Sequence, residues 1–220
     1  MREVQTKGSR RSYDGRQSGR RSGRRRRRKG GCFGRLIFLC IIFGLVGFLG
    51  YRACQGLGVH TRIMQSRYPI KYQEYVETYA AEFGVDPALV YGVIRTESRF
   101  DPYAVSNAKA KGLMQLQDDT AADCARALKI RDYSADQLFD PALNIRLGCY
   151  YLKKLIAAYD QNLETAIAAY NGGPGNVDKW LKDQNYSKEA GKLARIPFPE
   201  TARYVESVMA AYRNYHMLYY

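Results

Sequence analysis

The sequence predicts an all-α domain preceded by a basic tail and one transmembrane helix, and three observations carry that prediction. From about residue 66 onward, apolar residues recur at helical spacing, with no convincing alternation of period two. Asp-Pro pairs at 86–87 and 140–141, each an N-cap followed by a first-turn proline, open apolar-patterned segments. An uncharged apolar run, residues 36–51, stands directly behind an Arg-rich stretch.

The formal charge of +14 over 220 residues invites a nucleic-acid reading. Its distribution argues against one. Residues 1–35 hold fourteen Lys/Arg against Glu3 and Asp14, a net of +12, which leaves only +2 for residues 36–220. With almost no aliphatic side chains to offset chain entropy, residues 1–35 are expected to form a disordered basic tail. Attraction to anionic lipids explains such a tail beside a membrane span, so no nucleic-acid partner is expected.

The run 36–51 would rise about 24 Å as a helix, and Cys32 to Gly34 extend it toward the thickness of a bilayer core. Residues 36–52 are therefore read as a single-pass signal anchor. The Arg cluster at 24–28 would hold the N-terminus in the cytoplasm and place the rest of the chain outside the cell membrane. A cleaved signal peptide is the competing reading, although Tyr51 and Arg52 sit awkwardly where small residues are wanted. Residues 53–67 follow as a stalk, and 68–220 form the folded domain.

Within that domain, Tyr72, Tyr75, Val76, Tyr79 and Phe83 mark a first helical stripe closed by Gly84. A second helix follows Asp86-Pro87 through Leu89, Val90, Val93, Ile94 and Glu97. A polar stretch from Ser98 to Gly112 is long enough to be a functional loop. A further helix runs from Asp140-Pro141 to about Tyr159, and two more are expected near 162–170 and 200–217. The five cysteines lack the close spacing of a metal or redox motif, so no metal or cofactor is expected. Cys124 and Cys149 could form a disulfide outside the cytoplasm or remain two buried thiols, and both readings stay open.

Glu97 continues the apolar stripe near the C-terminal end of its helix. Desolvation and the negative end of the helix dipole would both favour its protonated form and raise its pKa, as a general acid requires. A helix-terminal Glu paired with Arg95 or Arg99 is the plainer reading on periodicity alone.

Further segments bear on that choice. Glu97-Ser98-Arg99-Phe100-Asp101-Pro102 leads through Ser106 to Gly112-Leu113-Met114-Gln115-Leu116. Ala169-Tyr170-Asn171-Gly172-Gly173-Pro174-Gly175 and Ile196-Pro197-Phe198-Pro199-Glu200-Thr201-Ala202-Arg203-Tyr204-Val205 follow. In this order and spacing, across roughly residues 68–217, they resemble the lytic transglycosylases of the soluble Slt type, relatives of goose-type lysozyme.

The resemblance implies a lysozyme-like helical fold and peptidoglycan glycan strands as substrate. It makes Glu97 the residue that protonates the glycosidic oxygen between N-acetylmuramic acid and N-acetylglucosamine. The same carboxylate then takes the proton of the muramoyl C6 hydroxyl as a 1,6-anhydro ring closes. Ser106 and Gln115 match substrate-contacting positions, Tyr170 and Asn171 lie in a cleft motif, and Glu200 and Tyr204 complete the site. This scheme uses one carboxylate where ordinary glycosidases use two, and Asp101, Asp118 and Asp119 read as turn or helix-start residues.

One position departs from the family pattern: Gln117 stands where a cleft-lining Met is usual, which bears on the shape of that subsite. A lysozyme-type hydrolase and a non-catalytic wall-binding scaffold are the alternatives. Nucleophilic catalysis by Ser/His or Cys/His is poorly supported, since the only histidines are His60 and His216. Cell-wall or envelope machinery is a conceivable protein partner that the sequence does not name.

Overall fold

A computed structural model describes residues 31–56, 58–189 and 191–220. All but the last five residues of the expected tail lie outside the described residues. The chain divides into two compact units, one ending at Ala53 and the other running from Cys54 to Tyr220. The first contains most of helix α1 (Gly31–Gly56), which is longer than the apolar run at both ends. Its stretch Gly34–Gly56 is long and apolar enough to cross a membrane, the one such helix among the described residues. At about 1.5 Å per residue it rises roughly 34 Å. Its large side chains, Leu36 through Tyr51, are exposed along its length.

The second unit is built from helices α2 (Val59–Arg67), α3 (Gln73–Phe83), α4 (Pro87–Glu97), α5 (Asp118–Ala127), α6 (Pro141–Ala158), α7 (Leu163–Gly172), α8 (Pro174–Lys182) and α9 (Pro199–Tyr219). A 3-10 turn, Ala135–Phe139, precedes α6. The expected helix starts hold their caps. Asp86 Oδ1 accepts from the Ala88 amide at 2.8 Å, and Asp140 Oδ1 accepts from the Leu143 amide at 2.8 Å. Unpredicted elements include α2 within the stalk, the 3-10 turn, α8, and the antiparallel pair β1 (Ser187–Glu189) and β2 (Lys192–Leu193). Strands of three and two residues are too short to display a period of two.

Helix α4 is the centre of the unit, buried on every side from Ala88 to Ile94. It packs lengthwise against α9, and Gly92 makes the approach possible: a Cβ there would lie 3.1 Å from the Val208 carbonyl and the Tyr212 amide. Helices α6 and α7 complete the core, with α3 laid on α6.

The segment leaving α2 is tied to the same two central helices. Arg95 stacks its guanidinium 4.4 Å from the Tyr68 ring centroid and donates to the Arg67 carbonyl at 3.1 Å. From α9, the Tyr219 hydroxyl donates to the Tyr68 carbonyl at 2.7 Å and the Tyr215 hydroxyl to the Pro69 carbonyl at 3.2 Å. Cys124 and Cys149 are two free buried thiols, so the disulfide alternative falls away. Burial pushes the Cys124 thiol up to about 11, which keeps it un-ionised.

Candidate active site

Helix α4 ends at Glu97 because the chain then turns into left-handed backbone, with φ of 51° at Arg99 and 67° at Phe100. Two contacts hold that unusual turn. The Ser98 hydroxyl lies 2.8 Å from the Leu113 carbonyl and 3.2 Å from that of Ile94, while the Phe100 ring is buried in the core. Asp101 is the turn residue expected of it, its Oδ1 accepting from the Tyr103 amide at 2.9 Å.

The loop that follows folds back on itself through isolated antiparallel bridges, Val105 to Lys111 and Lys111 to Leu116. Gly112 sits at its crossing point with φ of +78°, and a Cβ there would collide with the Leu138 carbonyl and the Asn144 amide. Asn144, fully buried on α6, pins this crossing. Its Oδ1 accepts from the Met114 amide at 2.8 Å, and its Nδ2 donates to the carbonyls of Lys111 at 3.0 Å and Leu138 at 2.9 Å.

Glu97 emerges from this framework half-buried and without a cationic partner: none of the ion pairs among the described residues includes it. Arg95 is engaged by Tyr68 and Arg67, and Arg99 is exposed. The salt-bridge reading therefore fails. The Tyr204 hydroxyl, buried on α9, donates to Glu97 Oε1 at 2.6 Å. Burial raises the Glu97 carboxyl from 4.5 to about 7, and the Tyr204 hydrogen bond partly opposes that rise. Tyr204 itself is held well above the ordinary phenol range by burial and by the neighbouring Glu97, so it remains a donor at physiological pH.

A cavity of about 620 Å³ opens beside Glu97 and brings in Ser106, Gln115, Tyr170, Asn171 and Glu200 from the loop, α7 and α9. Six of the seven residues singled out from the sequence thus face one space, and the seventh, Tyr204, is bonded to Glu97 behind it. Among the described residues, Glu97 and Glu200 are the carboxylates lining the cavity; Asp118 instead pairs with Lys111 at 3.1 Å.

Several of these side chains also hold the site together. Gln115, in left-handed backbone, donates its amide to the carbonyls of Ala104 at 2.9 Å and Gly112 at 3.0 Å, so only its oxygen is left to face a ligand. Tyr170 donates to the Met114 carbonyl at 2.7 Å, and Asn171 accepts from Thr201 at 2.8 Å. Ser106 Oγ accepts from the Ala110 amide at 3.1 Å, closing the loop tip.

Sequence reasoning missed Asn144, Tyr151 and Thr120. The last two line the cavity, and the Tyr151 ring packs 5.3 Å from that of Tyr170. The available signal for Asn144 was a lone amide on the otherwise apolar stripe formed by Ile145, Leu147 and Leu152.

A helical domain with a cavity set beside a half-buried carboxyl of raised pKa is the architecture of the lysozyme-like class. The comparisons agree. Residues 74–193 match the family model "Transglycosylase SLT domain", and the chain belongs to that family. It is 34% identical over 158 residues to the soluble lytic murein transglycosylase of Escherichia coli K12, covering 70% of this chain and 24% of that protein. It is 35% identical over 166 residues to the membrane-bound lytic murein transglycosylase C of Salmonella paratyphi B, covering 66% of this chain and 46% of the other. Among solved structures, the 70 kDa soluble lytic transglycosylase of E. coli superposes with a TM-score of 0.64 at 31% identity, over 70% of this chain and 25% of that one. An inactive mutant of the lytic transglycosylase Slt from Pseudomonas aeruginosa gives 0.63 at 33%, with the same coverage. The chain spans about a quarter of the soluble relatives and under half of the membrane-bound one.

Proposed function

We propose that this chain is a peptidoglycan lytic transglycosylase held to the cell membrane by one span, with Glu97 as its general acid and then its base. The observation that carries the reading is the Glu97 carboxyl, its pKa raised by burial to about 7 and bonded through Oε1 to Tyr204 beside a cavity large enough for sugar rings. With Oε1 occupied as an acceptor, the acidic proton sits on Oε2, free to pass to the glycosidic oxygen between N-acetylmuramic acid and N-acetylglucosamine.

Once the proton leaves, Glu97 is a carboxylate, and the Tyr204 bond strengthens because its acceptor is now charged. That gain appears only as the reaction proceeds, which is where a catalytic interaction must act. The carboxylate then removes the proton of the muramoyl C6 hydroxyl as that oxygen attacks C1, giving a 1,6-anhydro product and restoring the acid. Ser106, Gln115, Tyr170, Asn171 and Glu200 take substrate-binding positions around this step.

In the same reading, residues 1–35 are a cytoplasmic basic tail drawn to anionic lipids, 36–52 the anchor, 53–67 the stalk, and 68–220 the extracytoplasmic enzyme. The test is mass spectrometry of products after the full chain in detergent micelles, wild type and Glu97→Gln, digests intact peptidoglycan. Muropeptides ending in 1,6-anhydro-muramic acid, lost at least 100-fold in the variant, are expected from removing a general acid. Reducing ends would mean a hydrolase, and binding without cleavage by wild type would mean a scaffold.

A further inference from the structure

Most polar groups brought to the cavity by the family motifs are already engaged within the protein. Gln115 has its amide hydrogens on two loop carbonyls, Tyr170 donates to Met114, Ser106 accepts from Ala110, and Asn171 accepts from Thr201. The opposite condition holds along the wall made by α5 and α6. Gln117, Thr120 and Tyr151 line the same cavity, and their side-chain polar groups make no hydrogen bond among the described residues. Gln117 occupies the N-cap position of α5, yet its side chain makes no cap bond. Thr120 follows three residues later, on the neighbouring helical position, and Tyr151 comes from α6, which packs against α5.

These three groups carry no charge at neutral pH. Lys111 and Asp118 are paired with each other, and neither they nor Asp119 lines the cavity. The wall therefore offers no site for a carboxylate or an ammonium group. A primary amide offers both N–H donors and a carbonyl acceptor, and the hydroxyls beside it offer donor and acceptor again, which suits the C=O and N–H that a trans secondary amide turns to opposite sides. A Met at position 117, as the family pattern has it, would present neither.

We propose that Gln117, supported by Thr120 and Tyr151, forms a subsite that recognises a secondary amide of the bound strand. Gln117 Nε2 donates to the amide oxygen, and a hydroxyl of Thr120 or Tyr151 accepts from the N–H, which the trans amide turns to the opposite side. The proposal rests on reading the cavity as a glycan cleft. Two groups on such a strand supply this chemistry: the acetamido group of the sugars and the amide that joins the lactyl side chain to the stem peptide. Because the interaction is made with bound substrate regardless of the reacting bond, it acts on KM more than on kcat.

The experiment measures binding calorimetrically, with the full-length Glu97→Gln chain in detergent micelles, so that strands stay uncleaved. One titrant is a glycan strand freed of its stems, the other a stem-bearing strand. Adding Gln117→Met, which keeps volume and removes its hydrogen bond, is expected to weaken binding about tenfold; Thr120→Val and Tyr151→Phe are expected to weaken it about threefold each. Gln117 is exposed and caps nothing, so the first variant leaves the fold alone, and melting curves of all three check this.

Loss on stem-free strands assigns the subsite to the acetamido group, and loss confined to stem-bearing strands assigns it to the stem amide. Affinity unchanged by all three substitutions on both strands overturns the proposal. Wild-type cleavage is a separate readout. A chain that binds with Gln117-dependent affinity but cleaves nothing would sink the transglycosylase reading and leave the subsite standing. Cleavage with substitution-insensitive binding would do the reverse.

Discussion

Replacing Glu97 by Gln will make the domain more stable above neutral pH, by an amount set by the burial of the carboxyl. In the unfolded chain this group ionises near its ordinary value of 4.5, and in the folded domain near 7. Between those values the unfolded state has lost a proton that the folded state keeps, so stability falls as pH rises through the window. Below 4.5 both states hold the proton and the effect vanishes; above 7 both have lost it and the penalty is complete. At about 1.4 kcal/mol per pKa unit, the full penalty is roughly 3 kcal/mol. Gln has nearly the same shape, can still accept from Tyr204, and cannot ionise, so it escapes the penalty.

The expected result is a variant whose melting temperature matches wild type near pH 4 and exceeds it by about 6–12 °C at pH 8. The signal is the fluorescence of Trp180, the single tryptophan, which is buried against Phe198 within the second unit and so reports on that unit. Measuring the difference between the two proteins at each pH cancels every other titrating group. A difference that stays flat from pH 4 to pH 8 would refute the assignment of a buried, neutral carboxyl, whatever the activity of the variant.

Three further outcomes follow from the same geometry. Tyr204→Phe removes the one bond that lowers the Glu97 pKa; the alkaline limb of the pH–rate profile will move upward while kcat falls roughly tenfold or more, read from initial rates across pH. Asn144→Ala leaves the Met114 amide and the carbonyls of Lys111 and Leu138 without their buried partner, and will cost about 3–5 kcal/mol, measured as a drop in the urea midpoint. Arg95→Ala releases the Tyr68 ring and the Arg67 carbonyl and will cost about 1–2 kcal/mol, with faster hydrogen exchange at residues 67–70 as the local signature.

The helical skeleton was legible because its signals are local. Asp86-Pro87 and Asp140-Pro141 start helices through caps formed within three residues, and Gly84 ends one through its own backbone freedom. The apolar patterns of α4 and α6 likewise read directly as buried faces, whereas of the α3 stripe only Val76 is buried and Tyr75 is exposed. The short strands and α8 were hidden because nothing in their composition separates them from loop. The longer reach of α1 was hidden because the apolar run alone did not mark where its helix begins and ends.

The sequence by itself determined which residues are chemically suited to the site: a Glu at the end of an apolar helix, a Tyr and a Glu at the start of another, and polar motif residues in the loops between. Only the tertiary structure decided what those residues do to one another. Tyr204 meets Glu97 across 107 positions of chain, a pairing no local pattern contains. Arg95, one of two candidates to neutralise that Glu, is diverted to Tyr68 instead. Asn144 holds up a loop thirty residues before it, and Gln117, at the N-cap position of α5, makes no cap bond with its side chain. The physical reason is that a carboxyl's proton affinity is set by what surrounds it in space, by the water excluded and the donors brought near, and those neighbours come together only when the chain is packed.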